Sequence, residues 1–88
     1  MPIVGARAQH RPAYRQFCAL LRAWRLEAGL TEREVAATLG KPHSFVHKSE
    51  LGERRIDPLE FIALCRALGR DPARLLRQIE RDILNGKV

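Results

Sequence analysis

Helix punctuation constrains this chain more than any other feature of its sequence. "TERE" at Thr31–Glu34 is a capping box, in which a threonine hydroxyl accepts from the amide three residues on and a glutamate reaches back to the cap. "DPLE" at Asp57–Glu60 repeats the device with Asp57 as cap, Pro58 as first helical residue and Glu60 as the returning acid. "DPAR" at Asp71–Arg74 supplies a third start. Glycines at 29, 40, 52 and 69 stand where helices must stop, because the residue after a helix often needs a left-handed backbone. The segments between these marks are too short and too regularly bounded for anything but helices.

Their apolar residues agree. A first helix is expected from about Ala13 to Ala28, where Tyr14, Phe17, Cys18, Leu21, Trp24 and Ala28 recur at three- and four-residue steps. A second starts at Thr31, with Leu30 stapled onto Val35, buries Val35, Ala36 and Leu39, and closes at Gly40. A third begins near Pro42 and ends near Leu51–Gly52. A fourth follows Asp57, with Leu59, Ile62, Ala63, Cys65, Arg66 and Leu68, and a fifth follows Asp71 with a stripe of Leu75, Leu76, Ile79 and Ile83. No segment alternates with period two, so the expected fold is all-α, a compact bundle of five short helices. The expected organisation is a basic N-terminal arm over residues 1–12, a helical domain over 13–84 and a tail over 85–88. A domain of 88 residues is marginal alone, and dimerisation would help it.

The charge balance points to a polyanionic partner. The chain carries 16 Lys and Arg against 10 Asp and Glu, for a net charge of +6. Arg7, Arg11, Arg15, Arg22 and Arg25 fall in the first 25 residues with no acid among them, so the excess is concentrated in the arm and first helix. Genome composition alone can also produce an arginine-rich chain. Cys18 and Cys65 lie far apart in apolar settings without a CxxC motif, which fits reduced core residues. The absence of long apolar runs and of a secretory leader pattern leads us to expect a cytoplasmic protein without membrane contact. No Gly-rich phosphate loop and no nucleophile beside a base is visible. Neither catalysis nor a cofactor is therefore expected, and the acids mostly sit at helix starts, where the macrodipole accounts for them.

The third helix is the unusual one. In "KPHSFVHKSE" only Phe45 and Val46 are strongly apolar, while His43, Ser44, His47 and Lys48 are hydrogen-bonding groups on the other side. The second and third helices are joined by "LGKP", a turn short enough for a helix-turn-helix. A helix seated that way presents short polar side chains to the major groove, and its N-terminus favours phosphate.

The stretch "LRAWRLEAGLTEREVAATLGKPHSFVHKSELGERRIDPLEFIALCRALG", Leu21 to Gly69, resembles the phage-repressor type of helix-turn-helix domain, the Cro/lambda-repressor-like or XRE family. The resemblance implies a five-helix lambda-repressor-like fold that binds double-stranded operator DNA as a homodimer. It places His43 and Ser44 as the first base-contacting pair and His47 and Lys48 as the next, with Phe45 against a thymine methyl. It also implies a partly buried ion pair between Arg25 and Glu50. The chain departs from the family pattern at Glu32, where a Gln donating to a phosphate is usual, at His43, often Gln, at Ser49, usually large and apolar, and at Leu51, commonly polar. Ser49 leaves a packing gap or a slot for a neighbour such as Trp24 or a partner subunit.

Around that reader, Thr31, Arg33, Lys41, Arg54 and Arg55 are candidate phosphate contacts, and Arg7 and Arg11 are candidates for a minor-groove arm. Leu51, Leu75, Ile79 and Ile83 are candidates for a dimer interface. His43 and His47 are four apart with Glu50 beyond, but no Cys or third His accompanies them, and no metal is expected. A histidine gains charge as pH falls, so DNA affinity is expected to rise from pH 8 to pH 6. The alternative to a transcriptional regulator is a protein-interaction module, antitoxin-like or an adaptor, which Glu32, Ser49 and Leu51 motivate.

Overall fold

The computed structural model describes residues 11–85, so Arg7 and its suggested groove contact lie outside the described residues, as do the last residues of the expected tail. Five α-helices follow in order: α1 (Pro12–Glu27), α2 (Glu32–Leu39), α3 (His43–Leu51), α4 (Pro58–Ala67) and α5 (Pro72–Ile79). A single π-helical turn, Glu80–Leu84, continues α5 and ends at Asn85 in a left-handed conformation. No strand occurs among the described residues.

The starts are those the capping residues dictate. Thr31 Oγ1 accepts from the Glu34 amide at 3.0 Å, and Glu34 returns to the Thr31 amide at 2.8 Å. Asp57 and Glu60 repeat the exchange at 2.7 and 3.1 Å. Each such cap contributes about 1 kcal/mol by satisfying amides that the helix itself leaves orphaned. At α5, Asp71 accepts from the Ala73 amide at 3.1 Å. Gly40 ends α2 at φ 67°, a left-handed angle that an L side chain resists, and so turns the chain into α3 within three residues.

Two boundaries differ from the sequence expectation. α1 starts one residue earlier, at Pro12, and α3 starts one residue later. Pro42 is the N-cap, with an extended ψ of 154°, not the first helical residue. Its fixed φ suits either position, and the extended ψ completes the turn between α2 and α3.

The core gathers Leu21 and Trp24 from α1, Val35 and Ala36 from α2, Val46 from α3, Phe61, Leu64, Cys65 and Leu68 from α4, and Leu75 from α5. Trp24, 1% exposed, donates from its indole nitrogen to Gln78 Oε1 at 3.2 Å, which ties α1 to α5. Leu75 is a correction to the expected interface. It is 3% exposed and belongs to the monomer's own core, whereas its neighbour Leu76 is 55% exposed. Ile79 and Ile83 are half-buried along an apolar groove with Tyr14, Phe17 and Phe61. In α4 the inward residues are Phe61, Leu64 and Cys65, while Leu59 and Ile62 face solvent.

Ser49 borders a small gap that Trp24 does not line. Its buried hydroxyl donates to the Phe45 carbonyl one turn back at 2.7 Å, so it is satisfied within its own helix. The gap is also lined by Leu21, Val35, Val46, Leu64 and Leu68. No helix among the described residues is long and apolar enough to cross a membrane.

Candidate nucleic-acid interface

α2, the Gly40–Pro42 turn and α3 form the helix-turn-helix. α3 has little apolar surface of its own: Val46 and Ser49 are its buried residues. What fixes it is a pair of charges. Arg25, in the last turn of α1, donates from Nε to Glu50 Oε2 at 2.6 Å and from Nη2 to Glu50 Oε1 at 3.0 Å. Its Nη1 donates to the Leu30 carbonyl at 2.9 Å. Both side chains are less than a tenth exposed, so α3 is clamped to the scaffold by a bidentate, water-poor contact.

On the opposite side of α3, Ser44, His47 and Lys48 are exposed and His43 is half-buried. Glu32, the first residue of α2, stands against the two histidines. His43 Nε2 lies 3.1 Å from Glu32 Oε1, and His47 Nδ1 lies 3.2 Å from Oε1 and 3.3 Å from Oε2. The two rings stack, with centroids 5.8 Å apart. Glu32 Oε2 is also 4.0 Å from Arg25 Nη2, so one carboxylate joins the reader face to the clamp behind it.

The titration of these groups follows from that geometry. Burial works against the Glu32 charge, but its contacts with Glu50, His47 and His43 outweigh it and hold its carboxyl below the usual range. Burial pushes the Glu50 carboxyl up, with the nearby Glu32 charge adding to it, against the opposing pull of Arg25. The Glu50 hydrogen bonds raise Arg25. The directions for Arg25 and Glu50 do not match as a simple ion pair would, because burial, with Glu32 adding to it, outweighs the pull of Arg25 on Glu50. The bidentate geometry favours the ionised pair.

Phe45 is set apart from the exposed reader residues. It is half-buried against the core, with the Arg54 guanidinium 4.3 Å from its ring centroid and Lys41 Nζ at 5.5 Å. Arg54 is further engaged by Glu60, through Nη1 at 3.1 Å and Nη2 at 2.9 Å. That bond, with burial opposing it, holds the Glu60 carboxyl low. Arg54 is thus part of the scaffold that positions the loop after α3. Arg33 and Lys41 are exposed, as are Arg55 and Thr31, although the Thr31 hydroxyl also serves the α2 cap. Arg11 is the exposed N-cap residue of α1, with no side-chain cap bond.

Two contacts had no clear signal in the sequence. Tyr14 Oη accepts from the Ile56 amide at 2.9 Å and donates to the Arg54 carbonyl at 3.4 Å, so α1 holds the loop bearing Arg54 and Arg55. The Glu32 contact with both histidines is the other. Its only hint was that Glu32 and His43 open the two helices of one tight turn. Among the described residues no three His, Cys, Asp or Glu side chains form a metal-binding set. Both cysteines are buried, and burial raises both thiols, Cys65 to about 11.

The helix-turn-helix domain family matches residues 16–78, well over half of the chain. Among solved structures, an XRE-family like protein from Pseudomonas syringae pv. tomato str. DC3000 is similar at 42% identity. The similarity covers 89% of this chain and 95% of that one, with a TM-score of 0.77. No curated protein matches.

Proposed function

The chain belongs to the XRE-type helix-turn-helix family of DNA-binding regulators, and from that premise we propose that it binds a palindromic operator as a homodimer, with α3 in the major groove. The observation that carries this reading is the build of α3. Val46 and Ser49 face inward, Glu50 is clamped, and Ser44, His47 and Lys48 are left exposed on a short rigid helix. In this reading His43, Ser44, His47 and Lys48 read base edges. Thr31, Arg33, Lys41 and Arg55 meet phosphates, and Arg11 leads an arm toward the minor groove. Half-site centres lie about 34 Å apart. The exposed Leu51, 56% accessible, and the half-buried Ile79 and Ile83 are the residues from which a dimer contact would be built. Such a regulator acts in the cytoplasm, where the DNA is.

Fluorescence anisotropy with a mixed-sequence duplex and with sites selected from a random pool tests this. Binding should weaken steeply with salt, and Lys48→Ala should weaken it for all sequences or at one base position. If no salt-dependent association occurs at low ionic strength, the DNA reading fails and a protein-interaction module replaces it. The exposed Leu51 favours that second reading.

A further inference from the structure

A carboxylate can only accept hydrogen bonds, and a neutral imidazole carries one proton on one of its two nitrogens. These two facts decide the chemistry of the reader face. Glu32 touches His43 through Nε2 and His47 through Nδ1. In the neutral form each ring must therefore place its proton on the nitrogen that faces Glu32. The second nitrogen, Nδ1 of His43 and Nε2 of His47, is left as an acceptor, and neither has a bonded partner among the described residues. Both rings reach solvent, with side chains 39% and 50% accessible.

The geometry points to Glu32 as a specificity-setting residue: by fixing the two tautomers it makes His43 and His47 hydrogen-bond acceptors toward DNA, and so selects bases that present an amino group. This rests on the reading of α3 as the major-groove element. In that groove the donors are adenine N6 and cytosine N4, whereas guanine offers N7 and O6 and thymine O4, all acceptors. A histidine free to choose its tautomer can meet either kind of edge. Glu32 removes that choice for both rings at once, because its Oε1 accepts from both. Arg25 and Glu50, which lie by Glu32 in the same cleft, bond to each other, with Arg25 also bonding the Leu30 carbonyl. Glu32 is thus a positioning residue that acts through the two imidazoles.

The test has two arms. Long-range proton–nitrogen NMR on the full chain, recorded at alkaline pH, reports each tautomer directly. His47 should carry its proton on Nδ1, the form that unconstrained histidine disfavours, and His43 on Nε2. Glu32→Gln, whose amide can donate as well as accept, should return His47 toward the Nε2–H form, and Glu32→Asp should restore the wild-type pattern in part. In the second arm, sites are selected from a random duplex pool. The wild type should enrich adenine or cytosine opposite these side chains, and Glu32→Gln should lower that preference roughly three- to tenfold, the worth of one hydrogen bond. Its association with mixed-sequence DNA should persist. A wild-type His47 protonated on Nε2, or an unchanged selected motif in Glu32→Gln, overturns the proposal. If no duplex binds at all, the DNA reading fails and the base preference falls with it, while the NMR arm still decides the tautomers.

Discussion

Arg25 holds Glu50 through two guanidinium nitrogens, at 2.6 and 3.0 Å, and spends its third on the Leu30 carbonyl. The last turn of α1 and the end of α3 therefore share one buried charge pair. Arg25→Ala strips the partner from a carboxylate whose side chain is only 5% exposed and should cost roughly 3–5 kcal/mol. Replacing both residues together, Arg25→Met with Glu50→Leu, should recover much of that loss, because no charge is then left buried alone. Urea unfolding of the two single variants and the double variant gives the comparison, and a double variant as unstable as Arg25→Ala would contradict it.

Glu60 gives the fold a dependence on acid. Its carboxyl is held below the usual range by Arg54, so its contribution to stability is present above the unfolded value of about 4.3 and is lost as pH falls through the folded value. Glu60→Gln keeps an oxygen for the Asp57 amide and loses the pair with Arg54. It should destabilise by roughly 0.5–1 kcal/mol at pH 7 and by less at pH 3, as read from thermal midpoints at the two values.

Gln78 accepts the only hydrogen bond the Trp24 indole makes among the described residues. Gln78→Leu leaves that donor buried without a partner and should cost about 1–2 kcal/mol, although Gln78 is half-buried and away from the reader face. The urea midpoint followed by Trp24 fluorescence measures it, and DNA affinity at full folding should be unchanged.

Leu76 is 55% exposed beside the apolar groove of α1, α4 and α5. Leu76→Asp should alter monomer stability by less than about 0.5 kcal/mol, since the side chain is already solvated. If the homodimer uses this face, sedimentation should show a shift toward monomer, with a matching loss of affinity for a two-half-site duplex and little change for a half site.

The sequence made the helices legible because their ends are written in side chains. Thr31, Glu34, Asp57, Glu60 and Asp71 each make the cap bonds their positions imply. Which side of a helix faces inward was legible only where polar residues mark the other side. α4 is apolar nearly all round, so nothing in its sequence separated Phe61 and Leu64, which are buried, from Leu59 and Ile62, which are not. The Arg25–Glu50 contact came from family resemblance. Periodicity carries no record of which distant charges meet. The contact of Glu32 with both histidines was hidden for the same reason: it depends on the angle at which α3 leaves the turn, and that angle is set by Gly40 and the extended Pro42 backbone.

Because the Glu32 carboxylate belongs to α2 while the imidazoles it holds belong to α3, the face we propose for DNA is not a property of one helix. Transplanting residues 43–51 onto a related scaffold with glutamine in the place of Glu32 would move the letters of the reader without the hydrogen positions that give them meaning. Retargeting this protein therefore means exchanging the two segments as one unit.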